Sequence, residues 1–372
     1  MKQMQLPESD IYWHSQQACT INGIKSMFNT ISYPLYHVIV NFLYKIMGIS
    51  LNYCAGIVVI ACNLLTYCII FFYLDFICRE KDIRIREYGI GFTLILMLVQ
   101  AIYMPWFNKN VYLGQGSINI YHNPTYLIVK PIGIIIFLLI CYIYIKNEKH
   151  IAFKKEWWFL AGLSVLANLA KPSFFYVFIP GLGLYMLMDM CISGYKKFSL
   201  HFQVACAFIP AALVALFQAM ASLTTGIEIE WMGVWKIFSP NPYISILLFI
   251  AFPLYVLLLS IRIWDVGTKI SLSVFFAGFL EAAILAEKGE RRWHGNFFWG
   301  YYLGGALLWL EAVKIFILWH AERNKSRGNN IRLIVGWILL ILHVCSGIRY
   351  LYTNGAFNPA ISGLYYLYKL IF

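Results

Sequence analysis

Long apolar runs separated by short polar segments make up most of this 372-residue chain. A helix needs about 20 apolar residues to cross a bilayer, and ten runs approach that length. They predict spanning helices over 53–77, 88–105, 124–145, 157–171, 172–193, 201–222, 242–263, 268–286, 300–319 and 333–351. The run 157–171 is short and is followed directly by Pro172. Because proline starts a helix more readily than it continues one, two short helices are expected to meet at Lys171-Pro172.

The composition indicates a membrane protein. Hydrophobic residues make up 61% of the chain and charged residues 12%, whereas soluble domains carry about 25% charged residues. A water-soluble fold could not bury that much apolar surface. The predicted fold class is all-α: a polytopic transmembrane helical bundle with about ten spans. We expect one membrane domain over 1–372, with an outer loop at 1–52, the bundle at 53–351 and an outer C-terminal tail at 352–372.

The net charge of +12 is unevenly distributed along the chain. Lysine and arginine are concentrated in alternate connections between the predicted spans, at 78–87, 146–156, 196–197, 262–269 and 323–332. By the positive-inside rule these connections are cytoplasmic. The charge is then a signal of topology in the plasma membrane, and a nucleic-acid partner is not expected.

This orientation assigns five segments to the outer side: 1–52, 106–123, 223–241, 287–299 and 352–372. Within the first of them, apolar residues recur at helical spacing from Pro34 to Gly48, whereas His37, Asn41 and Lys45 occupy another face. That segment is too short and too polar to span the membrane, and its pattern predicts a helix lying on the membrane surface.

The stretch Gly114–Pro131 is the most polar interruption between apolar runs. Unpaired polar groups are costly in hydrocarbon, so its side chains must face water, protein or a ligand. As a ligand site, it would contribute Gln115, Asn119, Tyr121, His122 and Asn123. The alternative is a polar loop that ends at His122-Asn123-Pro124, with Asn123 capping the next helix.

Other candidates are charged groups close to or within apolar runs. Adjacent Arg291 and Arg292, with His294 and Asn296, depart from the positive-inside trend; they suit an anion such as a lipid-linked phosphate, or simple anchoring at lipid headgroups. Lys171 is an intramembrane charge, a kind of residue that usually marks a functional site. Lys130 and Glu281 have weaker cases, and Lys314 is expected to extend its ammonium to the membrane surface.

Asp10 and His14 form the remaining candidate site. A partly buried carboxylate beside histidine could act as a general base, and the alternative is a solvated acid near a chain terminus. The histidines lack metal-ligand spacing, so a divalent metal is not indicated. The glycine patterns of nucleotide-binding loops and the serine-elbow motif of hydrolases are absent from the sequence.

Taken in order, these motifs resemble the GT-C class of membrane glycosyltransferases. Ser9-Asp10 with His14 is similar to the acidic motif in the first outer loop of that class, Tyr33–Gly48 to the surface helix that follows it, and Leu169–Pro172 to its Lys-Pro junction. The resemblance implies a polyprenyl-phosphate sugar as donor and a glycan or lipid as acceptor. Membrane lipids would be the other partners, and no further cofactor is implied.

The resemblance also implies a role for each candidate residue. Asp10 would deprotonate the acceptor hydroxyl, and the phosphate leaving group would be neutralised by Lys171, Arg291 and Arg292. Substrate would be bound by His14, His37, Gln115, Asn119, Tyr121, His122, Asn123, His294 and Asn296. Members of the class begin with a spanning helix before the acidic loop, whereas this sequence begins within that loop, so the resemblance predicts that the first spanning helix is missing.

Two other functions fit the same sequence. A polysaccharide polymerase or a lipid-linked oligosaccharide transporter would also have many spans and polar outer segments. An ion or solute transporter would need polar residues leading to both sides of the membrane, and the inner halves of the predicted spans contain few of them.

Overall fold

The computed structural model describes residues 10–21, 23, 31–80, 86–147, 154–222, 226–321 and 327–353, except for the side chains of 86–88, 221–222, 321 and 327–329. Its α-helices are α1 (Asp10–Cys19), α2 (Leu35–Met47), α3 (Leu51–Glu80), α4 (Arg86–Leu98), α5 (Pro124–Lys146), α6 (Lys155–Ala170), α7 (Ser173–Ser193), α8 (Phe198–Cys206), α9 (Ile209–Ser222), α10 (Gly233–Phe238), α11 (Pro242–Leu258), α12 (Val266–Ile284), α13 (Phe298–Ala321) and α14 (Arg327–Thr353). Two short strands, β1 (Ile227–Ile229) and β2 (Leu285–Glu287), and two 3₁₀ turns, Ile261–Ile263 and Gly289–His294, complete the described elements.

The all-α membrane bundle is confirmed, but ten spans are not. Each predicted apolar run contains a helix, yet within the described residues only six helices are long and apolar enough to cross a membrane: α3, α5, α7, α12, α13 and α14. A seventh span results if α8 and α9, which meet at an angle of 44°, are counted together. Helices α4, α6 and α11 have 13, 16 and 17 residues. At about 1.5 Å per residue they are shorter than a bilayer core of about 30 Å.

Helix α2 has an inverted amphipathic pattern. Its polar residues His37 and Asn41 are buried against the protein, whereas Phe42 and Ile46 are 61% and 66% exposed. Asn41 donates a hydrogen bond from Nδ2 to the carbonyl of Ile21 at 2.8 Å. An apolar outer face of this kind suits a helix in contact with lipid, which agrees with the predicted surface helix.

Helix α12 is the centre of the packing and lies against both α13 and α7. Glycines permit the close approach: a Cβ on Gly181 of α7 would meet the backbone of Val274, and one on Gly304 of α13 would lie 3.0 Å from the Cα of Phe275. Small residues commonly allow membrane helices to approach in this way. The buried core extends from Ala18 in α1 to Leu340 in α14. The single-domain organisation stays a prediction, and residues 354–372 of the predicted tail lie outside the described residues.

Lys314 does not extend to the membrane surface as expected. Its side chain is buried, and Nζ lies 2.8 Å from Oδ2 of Asp265 and is paired with Glu311. Tyr73 donates a further hydrogen bond to Glu311 at 2.7 Å. A buried ammonium is tolerated when carboxylates pair with it. This cluster therefore joins α3, α12 and α13 inside the bundle.

The predicted outer segments contact one another at one end of the bundle. Strand β1 pairs antiparallel with β2, with Glu228 opposite Ala286. The indole of Trp235 in α10 donates a hydrogen bond to the carbonyl of Gly114 at 2.9 Å. The sequence analysis predicted no strands, because three-residue segments carry too little periodicity to be distinguished from loops.

Two helical glycines provide a matched test of this packing. A Cβ on Gly347 of α14 would collide with the carbonyl of Leu98 at the end of α4, whereas one on Gly183 of α7 would meet nothing within 4 Å. We expect Gly347→Ala to lower the free energy of unfolding by about 2 kcal/mol. Gly183→Ala is expected to raise it by up to about 1 kcal/mol, since alanine favours helix over glycine. Thermal unfolding in detergent measures both, and equal shifts of the two midpoints would contradict this packing.

Candidate functional site

A cavity of about 820 Å³ lies among the segments that meet at this end of the bundle. Five of the predicted site residues line it: His14, His37, Lys171, Arg291 and Asn296. They come from parts of the chain that are far apart in sequence. The sequence analysis did not assign several further lining residues to the site, among them Tyr33, Tyr176, Gln218, Glu281, Glu287 and Trp299. The sequence analysis singled out Glu281 as a charged group within an apolar run but gave it no role in the site.

Lys171 is the buried cation of the cavity. It caps the C-terminal end of α6, directly before Pro172, and its side chain is 5% exposed. The ammonium lies 4.3 Å from the ring centroid of Trp299 and 5.5 Å from that of Tyr33. Aromatic faces attract a cation that has lost its water. The expected break between two helices at Lys171-Pro172 is thus present and carries a charge to the cavity wall, but only α6 is short, because α7 has 21 residues.

A continuous path of hydrogen bonds joins Lys171 to Asp10. Nζ of Lys171 donates to Oγ1 of Thr125 at 3.1 Å, and that hydroxyl donates to Oδ1 of Asn123 at 2.9 Å. Nδ2 of Asn123 then donates to Oδ2 of Asp10 at 2.8 Å. Asp10 does not line the cavity itself. The path nevertheless connects three motifs that the sequence analysis treated separately: the acidic loop, the polar stretch and the Lys-Pro junction.

Asn123 also caps helix α5, which confirms the capping interpretation of this residue. Its Oδ1 accepts a hydrogen bond from the backbone N–H of Tyr126 at 2.9 Å, and Pro124 occupies the first turn. Such a cap satisfies a backbone donor that the helix leaves free. Capping and the bond to Asp10 use opposite ends of one amide, so the orientation of this side chain is determined by both.

Glu287, at the end of β2, orients two other lining residues. Its Oε1 lies 3.2 Å from Nε of Arg291, and its Oε2 accepts a hydrogen bond from Nδ2 of Asn296 at 2.6 Å. The side chain of Arg291 is 45% exposed. Because the pairing uses Nε, the two terminal amino groups of the guanidinium can still bind an anion in a bidentate manner.

Arg292 and His294 lie outside the cavity lining. Arg292 is paired with Glu228 and Glu230 and thereby connects the 3₁₀ turn to the segment around β1. His294 is exposed on the same turn. The neighbouring arginines therefore differ: Arg291 lines the cavity, whereas Arg292 has two carboxylate partners elsewhere. Neither Arg292 nor His294 lines the cavity. The phosphate-binding role of Arg292 and the substrate-binding role of His294 therefore stay predictions.

The first half of the polar stretch is buried inside the protein. Asn119 donates from Nδ2 to the carbonyls of Leu96 and Val99 at 2.9 and 3.0 Å, and its Oδ1 accepts a hydrogen bond from Lys130 at 2.7 Å. Gln115 donates to the carbonyl of Asn110 at 2.5 Å. These side chains provide partners for backbone groups that leave regular structure inside the bundle.

Tyr121 and His122 also lie away from the cavity lining. The hydroxyl of Tyr121 donates a hydrogen bond to the carbonyl of Met97, and Nδ1 of His122 lies 3.0 Å from the hydroxyl of Tyr350. The structure therefore brings none of Gln115, Asn119, Tyr121 and His122 to the cavity wall. Their polarity is explained by internal hydrogen bonds, and their substrate-binding role stays a prediction.

His14 and His37 form a buried pair on the wall formed by α1 and α2. Nδ1 of His14 lies 3.0 Å from Nε2 of His37. Burial, with smaller effects of His37 and Lys171, lowers the pKa of His14 to about 3. Burial likewise lowers the pKa of His37 to about 4. Both rings are therefore neutral at pH 7. Their mutual hydrogen bond uses one nitrogen of each ring, so the pair retains one donor nitrogen and one acceptor nitrogen in total.

The described residues contain no group of three or more His, Cys, Asp or Glu side chains placed to hold a metal ion. The chain matches none of the protein-family models, curated proteins or solved structures with which it was compared. Its function must therefore be inferred from the cavity and from the sequence motifs around it.

The histidine pair predicts a pH dependence of stability. The pKa of each ring is lower in the folded protein than its ordinary value of 6.5, so acid protonates the unfolded chain first and the folded state loses stability as the pH falls below 6.5. At pH 5.5 the loss is about 1.4 kcal/mol for each histidine. We expect His14→Asn/His37→Asn to show a smaller drop in unfolding midpoint between pH 7.5 and 5.5 than the wild type.

The matched control is His294→Gln, at an exposed ring outside the cavity. This variant should keep the pH dependence of the wild type. If the double variant also kept it, the two rings would not be the buried bases described above.

Proposed function

We propose that this protein is a membrane glycosyltransferase similar to the GT-C class, which moves a sugar from a polyprenyl-phosphate donor to an acceptor on the non-cytoplasmic face. The main support is the cavity at one end of an apolar helical bundle, which Lys171 and Arg291 line together with polar and aromatic side chains. Two cations in one cavity suit a ligand with phosphate charge, since lysine and arginine both bind phosphate well.

The surroundings of the cavity suit a ligand that carries a lipid. Phe217 of α9 lines the cavity and is 54% exposed at the outer surface of the bundle. Leu213, Leu216 and Met220 on the same helix are also exposed, at 64%, 60% and 75%. An apolar surface of this kind favours lipid contact. A polyprenyl chain could lie along α9 while its phosphate reached Lys171 and Arg291.

The reaction would be a displacement at the anomeric carbon. The acceptor hydroxyl oxygen forms the new bond to that carbon, the bond from carbon to the phosphate oxygen breaks, and the hydroxyl proton passes to a base. Polyprenyl phosphate leaves with the bonding electron pair. Lys171 and Arg291 would stabilise the negative charge that develops on this leaving group.

Asp10 is the proposed base, as the resemblance implies. A general base must come within hydrogen-bonding reach of the proton that it removes. Asp10 is connected to Lys171 by a path of three hydrogen bonds and lies outside the cavity lining. A base role therefore requires the acceptor to approach from the side of α1. The competing role is electrostatic: the Asp10 carboxylate would help to keep Lys171 charged.

Substitution of the two cavity cations tests the phosphate site. We expect Lys171→Met and Arg291→Gln each to slow the release of polyprenyl phosphate from a polyprenyl-phosphate sugar by about 10- to 100-fold, because each removes a charge that stabilises the leaving group. The assay uses the purified protein in nanodiscs, with a membrane extract to supply acceptors.

Two variants serve as controls for this assay. Lys236→Met changes an exposed lysine outside the cavity and should leave the release rate unchanged. Arg292→Gln should lower the unfolding midpoint, because Arg292 pairs with Glu228 and Glu230, and should have little effect on the release rate. Release that is equally fast in all four variants would contradict the proposal. Donor binding without any release by the wild type would favour the lipid-linked oligosaccharide transporter.

Asp10→Asn distinguishes the two roles of this carboxylate. As the base, Asp10 is expected to contribute about 100-fold or more to the rate of release, while the affinity for donor stays unchanged in the variant. If Asp10 acts only through Lys171, the variant will instead bind the donor more weakly. Full release activity and full donor affinity together would exclude both roles.

A further inference from the structure

Among the residues that line the cavity, three buried side-chain atoms have no hydrogen-bond partner in the described part of the chain. One is Nδ1 of His37, and the other two are the acceptors Oε2 of Glu281, near the end of α12, and Oε1 of Gln218, in α9. Both residues line the cavity. Gln218 donates from Nε2 to the carbonyl of Asn168 at 3.0 Å, which fixes the amide so that its oxygen is the free end.

Glu281 also lacks a charge partner. No described lysine, arginine or histidine forms an ion pair with it, although Arg291 and Lys171 occupy the same cavity. Its Oε2 packs beside the backbone of Gly300, where a Cβ would displace it. Buried acceptors without donors destabilise a fold, and beside a cavity a bound ligand can supply the missing donor.

The charges of the cavity indicate which donors are suitable. Glu281 would attract an ammonium group, but Lys171 and Arg291 in the same cavity would oppose its entry, because they carry the same charge. A hydroxyl group is neutral and can donate to a carboxylate and to an amide oxygen alike. The free acceptors are thus suited to a ligand with several hydroxyl groups, joined to an anion that the cations would bind.

We propose that Glu281 and Gln218 bind the hydroxyl groups of the donor's sugar, while Lys171 and Arg291 bind its phosphate. This inference rests on the proposed function. It assigns the two ends of a lipid-linked phosphosugar to two different sets of side chains in one cavity, and it makes Glu281 a residue that determines sugar specificity.

Equilibrium binding tests the assignment. The ligands are polyprenyl phosphate without sugar and the same lipid carrying glucose, galactose or mannose, titrated against the intact protein in nanodiscs. We expect the wild type to bind at least one of the sugar-bearing lipids about tenfold more tightly than the sugar-free lipid. Glu281→Met should lose this tenfold advantage and keep the affinity for polyprenyl phosphate, because only the contacts to hydroxyl groups are removed.

Three further measurements separate recognition from a structural role. Glu281→Gln, which keeps an acceptor oxygen, should recover part of the advantage. Glu290→Gln, at an exposed acid outside the cavity lining, should behave as the wild type. The unfolding midpoint of Glu281→Met should be equal to that of the wild type or higher, since an unpaired buried carboxyl is removed.

The possible failures are distinguishable. If the wild type binds polyprenyl phosphate but gains nothing from any of the sugars, or if Glu281→Met keeps the gain, the assignment of Glu281 is overturned and the anion site stands. A Glu281→Met variant that melts well below the wild type and loses both ligands would show a structural role and overturn the assignment. If the wild type binds neither kind of lipid, this inference and the proposed function both fail.

Discussion

The buried ammonium of Lys171 is the charge on which the organisation of the site depends. A lysine that is 5% exposed has lost most of its water, and its charge must be stabilised by protein groups. Thr125 accepts a hydrogen bond from it, Trp299 and Tyr33 provide aromatic faces, and Asp10 supplies a carboxylate at the far end of the hydrogen-bond path. Tyr33 and Asp10 belong to the predicted outer segment 1–52, and Trp299 belongs to the predicted outer segment 287–299. The stabilisation of one cation thus requires the outer segments to meet.

Helix ends bring the polar groups of the site to this meeting point. Lys171 ends α6, Asn123 begins α5, and Glu281 lies in the last turn of α12. The backbone of a helix satisfies itself except at its termini, so polar side chains can serve a helix end and a cavity at once. Asn123 does both, because its carbonyl oxygen caps α5 and its amide nitrogen binds Asp10. The short helix α6 places such an end, with the buried Lys171, at the cavity wall.

Polarity within a membrane protein has two different explanations in this chain. Around Asn119, polar side chains provide hydrogen-bond partners for backbone carbonyls that have left regular structure, and the network with Lys130 closes on itself. Lys314, paired with Asp265 and Glu311, is a second self-contained group. At the cavity, by contrast, Glu281 and Gln218 each keep an acceptor without a partner. Polarity by itself therefore does not distinguish scaffold from candidate site.

The sequence alone was sufficient for properties that depend on neighbours along the chain. Apolar runs located the helices of a membrane bundle, the spacing around His37 and Asn41 predicted helix α2, and Asn123-Pro124 predicted a capped helix start. The number of ten spans is not confirmed among the described residues, because hydropathy does not show where a helix ends early or bends. The break between α8 and α9 and the end of α4 at Leu98 are examples.

Only the tertiary structure decided which polar residues share the cavity. Arg291 and Arg292 are adjacent and chemically identical, yet Arg292 pairs with Glu228 and Glu230 outside the cavity lining, whereas Arg291 pairs with Glu287 and lies at the cavity wall. Asn123 and Asp10 are 113 residues apart in the chain and are in direct contact. Local pattern carries no information about such contacts, because the packing of distant helices determines which side chains meet and which atoms remain without a partner.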